Sequence, residues 1–200
     1  MGYVIGITGG VGAGKSQVLT LLKEQFGAEV ILADEVGREL MEPHGACFPA
    51  VVELFGTEVV REDGTLDRQK IAGIIFRDKA MLEKQNAIIH PAVKAEIIHR
   101  CEKSHAKWIA VEAALLLEAR YEDICGEVWY IYADEETRRK RLKESRGYSE
   151  ERINAVMNSQ LTDEQFRQGC DRVIDISGCL TETKAQIERA LIELQTKEDN

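Results

Sequence analysis

No stretch of this 200-residue chain carries the roughly 18 consecutive apolar residues that a bilayer-crossing helix requires. The amino terminus enters an apolar strand pattern directly, without the charged region and apolar segment of a signal sequence. Both absences point to a cytoplasmic protein. Cysteine follows no framework: Cys47, Cys101, Cys125, Cys170 and Cys179 are odd in number and include no C-x-x-C pair, which fits neither a disulfide scaffold nor a zinc site. Reduced thiols are the simple account. Positive charge is also short. With 26 Lys and Arg against 35 Asp and Glu, the net charge of −9 argues against a general nucleic-acid binder and a membrane surface, yet leaves room for a local basic site facing an anionic substrate. There is no internal repeat, and 44% hydrophobic with 30% charged residues excludes a disordered or low-complexity chain. What these exclusions leave is one α/β domain, with room for an insertion and a sizeable core.

The most informative stretch is Gly9-Gly10-Val11-Gly12-Ala13-Gly14-Lys15-Ser16, a full match to the phosphate-binding pattern G-x-x-x-x-G-K-[ST]. Its setting agrees. Tyr3-Val4-Ile5-Gly6-Ile7 reads as a buried parallel strand, and Val18, Leu19, Leu21, Leu22 and Phe26 fall at helical spacing after the loop. Glycines let the backbone wrap a polyphosphate with its N–H groups inward, while the helix N-terminus adds positive potential. Lys15 is placed to reach β and γ phosphates, and the Ser16 hydroxyl to bind Mg²⁺.

Further strands are expected at 28–32, 108–112, 128–132 and 172–176. Asp34 follows the second, at the sheet edge where open parallel sheets bind ligands, and two readings stand: a helix N-cap or a functional carboxylate. Residues 43–100 look mostly helical, with a turn at Asp63-Gly64, a cap at Asp67, and His90-Pro91 marking a kink or break in a long helical pattern. Glu112 ends the third strand, either in a Mg²⁺ shell or as a solvated strand end. Leu115-Leu116-Leu117-Glu118 opens a short helix or loop, its leucines in the core or on a ligand. From Arg138 to Arg146 six of nine residues are basic, a helix–break–helix that reads as a lid over phosphates or as solvated charge. A final amphipathic helix carries Ile187, Leu191 and Leu194, and Thr196 to Asn200 reads as a polar, frayed tail.

In order along the chain, Ile7-Thr8 with the glycine loop, Phe26-Gly27 leading to Ala33-Asp34, Phe55-Gly56 with Asp63-Gly64-x-Leu66-Asp67-Arg68, His90-Pro91, and Leu115 to Glu118 make a series. Arg141 with Arg146, Ser159-Gln160 and Asp171-x-Val173-Ile174-Asp175 complete it, and over nearly the whole length the series resembles the dephospho-coenzyme A kinase family. Departures are Leu32 in place of the first acid of Asp-Ala-Asp, Gln17 for Thr, Ala114 for Pro, Phe166 for a basic lid residue with Arg167 as its candidate substitute, and Ile176 for Asn. The resemblance implies a three-layer α/β fold of the P-loop kinase type: a five-stranded parallel sheet with its core at about 1–33, 105–137 and 170–197, a helical substrate-binding insertion at about 34–104, and a helical lid at about 138–169. It implies transfer of the γ-phosphoryl group of ATP to the ribose 3′-hydroxyl of dephospho-coenzyme A, with Mg²⁺.

The site expected on that basis has Gly10, Val11, Gly12, Ala13, Gly14, Lys15, Ser16, Gln17, Arg141 and Arg146 on ATP, with Asp34, Lys15 and Arg141 in the catalytic roles. Asp34, Arg68, His90, Leu115 and Glu118 lie on the acceptor side, although His90 is equally a structural residue beside Pro91. Ser16 and Glu112 are the metal candidates. Rival readings are a nucleoside monophosphate or shikimate kinase, which shares the loop, and a guanine-nucleotide switch. The switch reading lacks an N-K-x-D element, and its D-x-x-G match at Asp123-x-x-Gly126 falls in a connecting segment.

Overall fold

A computed structural model describes residues 2–198. Its elements in chain order are β1 (Tyr3–Thr8), α1 (Lys15–Phe26), β2 (Glu29–Leu32), α2 (Ala33–Leu40), α3 (Phe48–Phe55), α4 (Arg68–Arg77) and α5 (Lys79–Lys103). There follow β3 (Trp108–Glu112), β4 (Glu127–Tyr132), α6 (Glu135–Arg146), α7 (Glu150–Asn158), α8 (Asp163–Gly169), β5 (Arg172–Asp175) and α9 (Leu180–Glu198). The strands make one sheet in the order β2-β3-β1-β4-β5.

β1 runs parallel to β3 and to β4, and β4 runs parallel to β5. With a strand on each side, β1 is buried from Val4 to Thr8, which is why its sequence is a continuous apolar run rather than an alternation. Since β3 and β4 flank β1 on opposite sides, the chain changes direction there, and the carboxyl ends of the strands form the edge where such sheets bind ligands. The register sets Ile7 opposite Glu112, Thr8 opposite Tyr130 and Tyr132 opposite Asp175. The acid ending β3 therefore stands one step short of the end of β1.

The chain divides into two compact units, Met1–Val30 with Ser104–Asn200, and Ile31–Lys103. In the first, fully buried Ile5, Ile7, Leu22, Ile109, Trp129 and Ile131 form the centre. At about 1.5–3 kcal/mol for each large apolar side chain buried, they supply much of its stability. Among the described residues Glu127, 4% exposed, is a buried charge: it accepts from Trp129 Nε1 at 2.9 Å and from Arg172 Nε at 2.6 Å, so the carboxylate is paired. The second unit is helical and packs Cys47, Val51, Phe55, Val59, Leu66 and Ile71 together, with α5 against α2, α3 and α4. Asp67 caps α4 by accepting from the N–H groups of Gln69 and Lys70 at 3.1 Å. All five cysteines are free thiols, and burial pushes that of Cys170 up to about 12.

Of the two alternatives at His90-Pro91, a kink or a break, the break is excluded, and the expected start of the polar tail is corrected. His90-Pro91 does not break the helix: α5 runs unbroken from Lys79 to Lys103 with Pro91 inside it. The carbonyl that Pro91 leaves without a donor is that of Ala87, and both residues lie on the exposed face, where water can serve it. The helix also docks through buried Val93, Ile97 and Cys101, which offsets a proline cost of roughly 3 kcal/mol. Nor does the polar tail begin at Thr196. α9 continues to Glu198, the Thr196 hydroxyl donates to the Ile192 carbonyl at 2.9 Å, and Lys197 lies 3.7 Å from buried Glu127. The last two positions of that expected tail lie outside the described residues.

Candidate active site

The glycine loop joins β1 to α1. Gly14 caps the helix with φ +99°, a left-handed conformation that an L side chain adopts only under strain, and a Cβ there would come within 2.7 Å of Ile176 Cδ1. The cap is backbone alone, without a side-chain hydrogen bond, and the first turn of α1 contains no acid. The Gln17 N–H turns back to the Gly14 carbonyl at 3.0 Å, and those of Lys15 and Ser16 are left for an anion, with the helix dipole behind them.

Lys15 Nζ donates to the Gly9 carbonyl at 2.8 Å and lies 3.6 Å from Glu112 Oε1. Its pKa is lowered, mainly by burial, with Arg146 and Arg138 pushing the same way and Glu112 opposing them. A cation held in this manner gains from negative charge brought beside it. Glu112 is accordingly not a solvated strand end. It and the Ser16 hydroxyl are hard oxygen donors, few enough to suit an ion such as Mg²⁺ that keeps several of its waters. Among the described residues there is no group of three or more His, Cys, Asp or Glu that would hold a metal by itself.

The basic run divides by helical geometry. Arg138 and Arg141, three residues apart, share the face of α6 that meets the loop. Arg141 donates to the Ala13 carbonyl at 2.6 Å and to the Ile176 carbonyl at 2.9 Å. Arg138 Nε donates to the Val11 carbonyl at 3.0 Å. Arg139 and Lys143 lie on another face, where Arg139 pairs with Glu135 at 2.8 Å and both approach Glu150. Exposed Arg146 sits 5.9 Å from the Tyr148 ring centre, and its charge still registers at Lys15.

Two residues at the loop escaped the expected list. Arg138 was legible only as one of six basic residues, and Gln160, whose Oε1 accepts the Val11 N–H at 2.8 Å, only as part of a family motif. Helical phase could have paired Arg138 with Arg141; nothing local marks Gln160. At position 166, Phe166 is 4% exposed and stacks on Tyr130 at 4.7 Å with rings 11° apart, so the place of the usual basic residue is apolar core here. Arg167 directs its guanidinium to Asp163 at 2.8 Å and to the Tyr132 ring at 4.9 Å. α8, which carries both, starts at a capping box between Thr162 and Gln165.

After β3 the chain makes successive turns rather than a helix. The three leucines separate: Leu116 is fully buried, Leu117 is half-buried, and Leu115 is 51% exposed beside exposed Glu118. Asp123 falls in the 3-10 turn Tyr121–Ile124, between strands.

The remaining expected residues belong to the second unit. Asp34 is not an N-cap. Leu32 holds the cap position without a side-chain bond, and Asp34 stands exposed in the first turn of α2, where its charge complements the dipole and its oxygens are open to a ligand. Arg68, first residue of α4, pairs with Glu42 at 2.9 Å, and His90 is half-buried within α5.

A family model described as "Dephospho-CoA kinase" matches residues 3–182. The chain is 37% identical over 190 residues to a dephospho-CoA kinase of Symbiobacterium thermophilum, covering 94% of this chain and 79% of that protein. It is 35% identical over 187 residues to that of Carboxydothermus hydrogenoformans, covering 92% and 90%. Among solved structures, TT1252 from Thermus thermophilus superposes with a TM-score of 0.82 at 28% identity, covering 96% of this chain and 98% of that one. A shikimate kinase from Acinetobacter baumannii, in complex with shikimate, superposes at 0.57 with 15% identity over 98% and 95%, a likeness of fold alone.

Proposed function

The chain belongs to the dephospho-CoA kinase family, and from that premise we propose that it moves the γ-phosphoryl group of ATP onto the ribose 3′-hydroxyl of dephospho-coenzyme A. The products are coenzyme A and ADP, in the last step of coenzyme A biosynthesis, and the setting is the cytoplasm. The observation that carries the reading is the loop itself: a helix start capped by backbone alone and free of acid, a half-buried lysine, and two arginines of α6 bonded to its carbonyls.

The chemistry divides among the residues as follows. Residues Gly10 to Gln17 wrap the β and γ phosphates, with Lys15 and those loop N–H groups that are not already bonded within the protein donating to them, and Arg141 and Arg146 add positive charge where the migrating group spreads its negative charge. Lys15 turns from Glu112 toward the phosphates, which are the stronger anion. Ser16 and the freed Glu112 would hold Mg²⁺, which supplies neutralisation of the phosphate oxygens when bound. Asp34 orients the acceptor hydroxyl and takes its proton; a weak base suffices because a loose transition state releases that proton late. Arg68, His90, Leu115 and Glu118 face the acceptor, residues 34–104 form its binding insertion, and residues 138–169 act as the lid.

An ADP-release assay with Mg·ATP across acceptors tests this. Dephospho-coenzyme A is expected to be phosphorylated far better than nucleoside monophosphates or shikimate, and equal rates with any of those would refute the assignment.

A further inference from the structure

The two hydrogen-bonding groups of Val11 are both held from the lid region. Its N–H donates to Gln160 Oε1 at 2.8 Å, and its carbonyl accepts from Arg138 Nε at 3.0 Å. The same Gln160 oxygen accepts from an Arg138 Nη at 3.3 Å. Peptide, amide and guanidinium therefore close a ring, assembled from residues 127 and 149 positions away from the loop residue they grip.

Gly10 records the same contact independently. Its backbone is not among the glycines with positive φ, so an L residue fits its conformation. What a side chain would do is displace Arg138: a Cβ at position 10 would lie 2.4 Å from an Arg138 Nη and 2.6 Å from Cζ. The guanidinium sits against the bare Cα, and any side chain there would push it aside.

We propose that Arg138 and Gln160 are a positioning pair that sets the Gly10–Val11 segment of the phosphate-binding loop, and that Gly10 is small in order to admit Arg138. Neither residue touches the transferring group. They orient the peptide that leads into the N–H groups of Gly12 to Ser16, and they turn the Val11 N–H away from the phosphates, so ATP affinity depends on them while the acceptor's does not. The proposal rests on the loop's being the ATP site. A lysine at position 138 keeps the charge but cannot reproduce the fork that serves two acceptors at once.

The test is a double-mutant cycle with Arg138→Met and Gln160→Leu, together with Arg138→Lys and Gly10→Ala. Affinity for a non-hydrolysable Mg·ATP analogue is read by calorimetry, and kcat and both KM values by ADP release. Each single variant is expected to weaken analogue binding by about tenfold, as for loss of one charge-assisted bond. Its kcat and its KM for dephospho-coenzyme A stay within about threefold of the parent. The double variant is no weaker than the worse single one, since either change opens the ring. Arg138→Lys behaves like Arg138→Met, and Gly10→Ala, which folds without that loss of side chain, reproduces the same weakening. Additive effects, full function in Arg138→Lys, or a hundredfold fall in kcat with analogue binding intact would each overturn the pair. A parent protein that binds no analogue would instead overturn the reading of the loop, and the pair with it.

Discussion

Arg141→Met separates a built contact from a surface charge. Arg141 is half-buried and gives one nitrogen to the Ala13 carbonyl at 2.6 Å and another to the Ile176 carbonyl at 2.9 Å. Both acceptors belong to residues only 1% exposed, so methionine, which keeps the stem and removes the fork, strands two carbonyls away from water. A hydrogen bond to a charged group contributes about 1.5–3 kcal/mol; with two such bonds, discounted for the half-exposed guanidinium, the loss is about 3 kcal/mol. For a chain of this length that lowers Tm by about 6–12 °C. Arg139→Met is the control: its ion pairs reach Glu135 and Glu150, whose side chains are 67% and 55% exposed, so about 1 kcal/mol or less is at stake, a shift within about 4 °C. Thermal unfolding of the ligand-free proteins, followed by circular dichroism, decides the matter. Equal shifts in the two variants would show that Arg141 is only another solvated charge and would remove the argument that α6 braces the loop.

Asp34→Asn is expected to lower kcat by about 10² with little change in the KM for ATP, and normal turnover would leave Asp34 as no more than a favourable charge at a helix start. Lys15→Ala should impair the phosphoryl-transfer step in rapid quench, where an unaltered rate would take the loop out of the mechanism. Burial holds the Lys15 pKa down in the free protein, and phosphates raise it, so the bound state carries the proton over a wider range. Titration of a Mg·ATP analogue in buffers of different ionisation enthalpy, at a pH just below the ordinary lysine range, is thus expected to show net proton uptake; release would reverse the sign of this account. Phe166→Ala should cost about 3–5 kcal/mol in urea unfolding, and Phe166→Lys, which would place a charge against Tyr130, at least as much. A lysine tolerated there would contradict the buried, stacked position.

What the sequence by itself determined is what depends on neighbours along the chain. The strand–loop–helix unit and the cap at Asp67 rest on contacts within a few residues, and both stand in the structure. Family membership was legible too, because its motifs keep their order and spacing. Tertiary structure decided the rest. Pro91 stays inside α5 because the helix is docked along its length, a fact that local propensity does not contain. Glu112 meets Lys15 because parallel pairing sets it beside Ile7, and the register of two strands a hundred residues apart is a property of the sheet. Of the six basic residues between Arg138 and Arg146, Arg138 and Arg141 grip the loop because helical phase selects a face and packing aims it. Composition tells how much positive charge a segment carries; only the fold directs that charge to an acceptor.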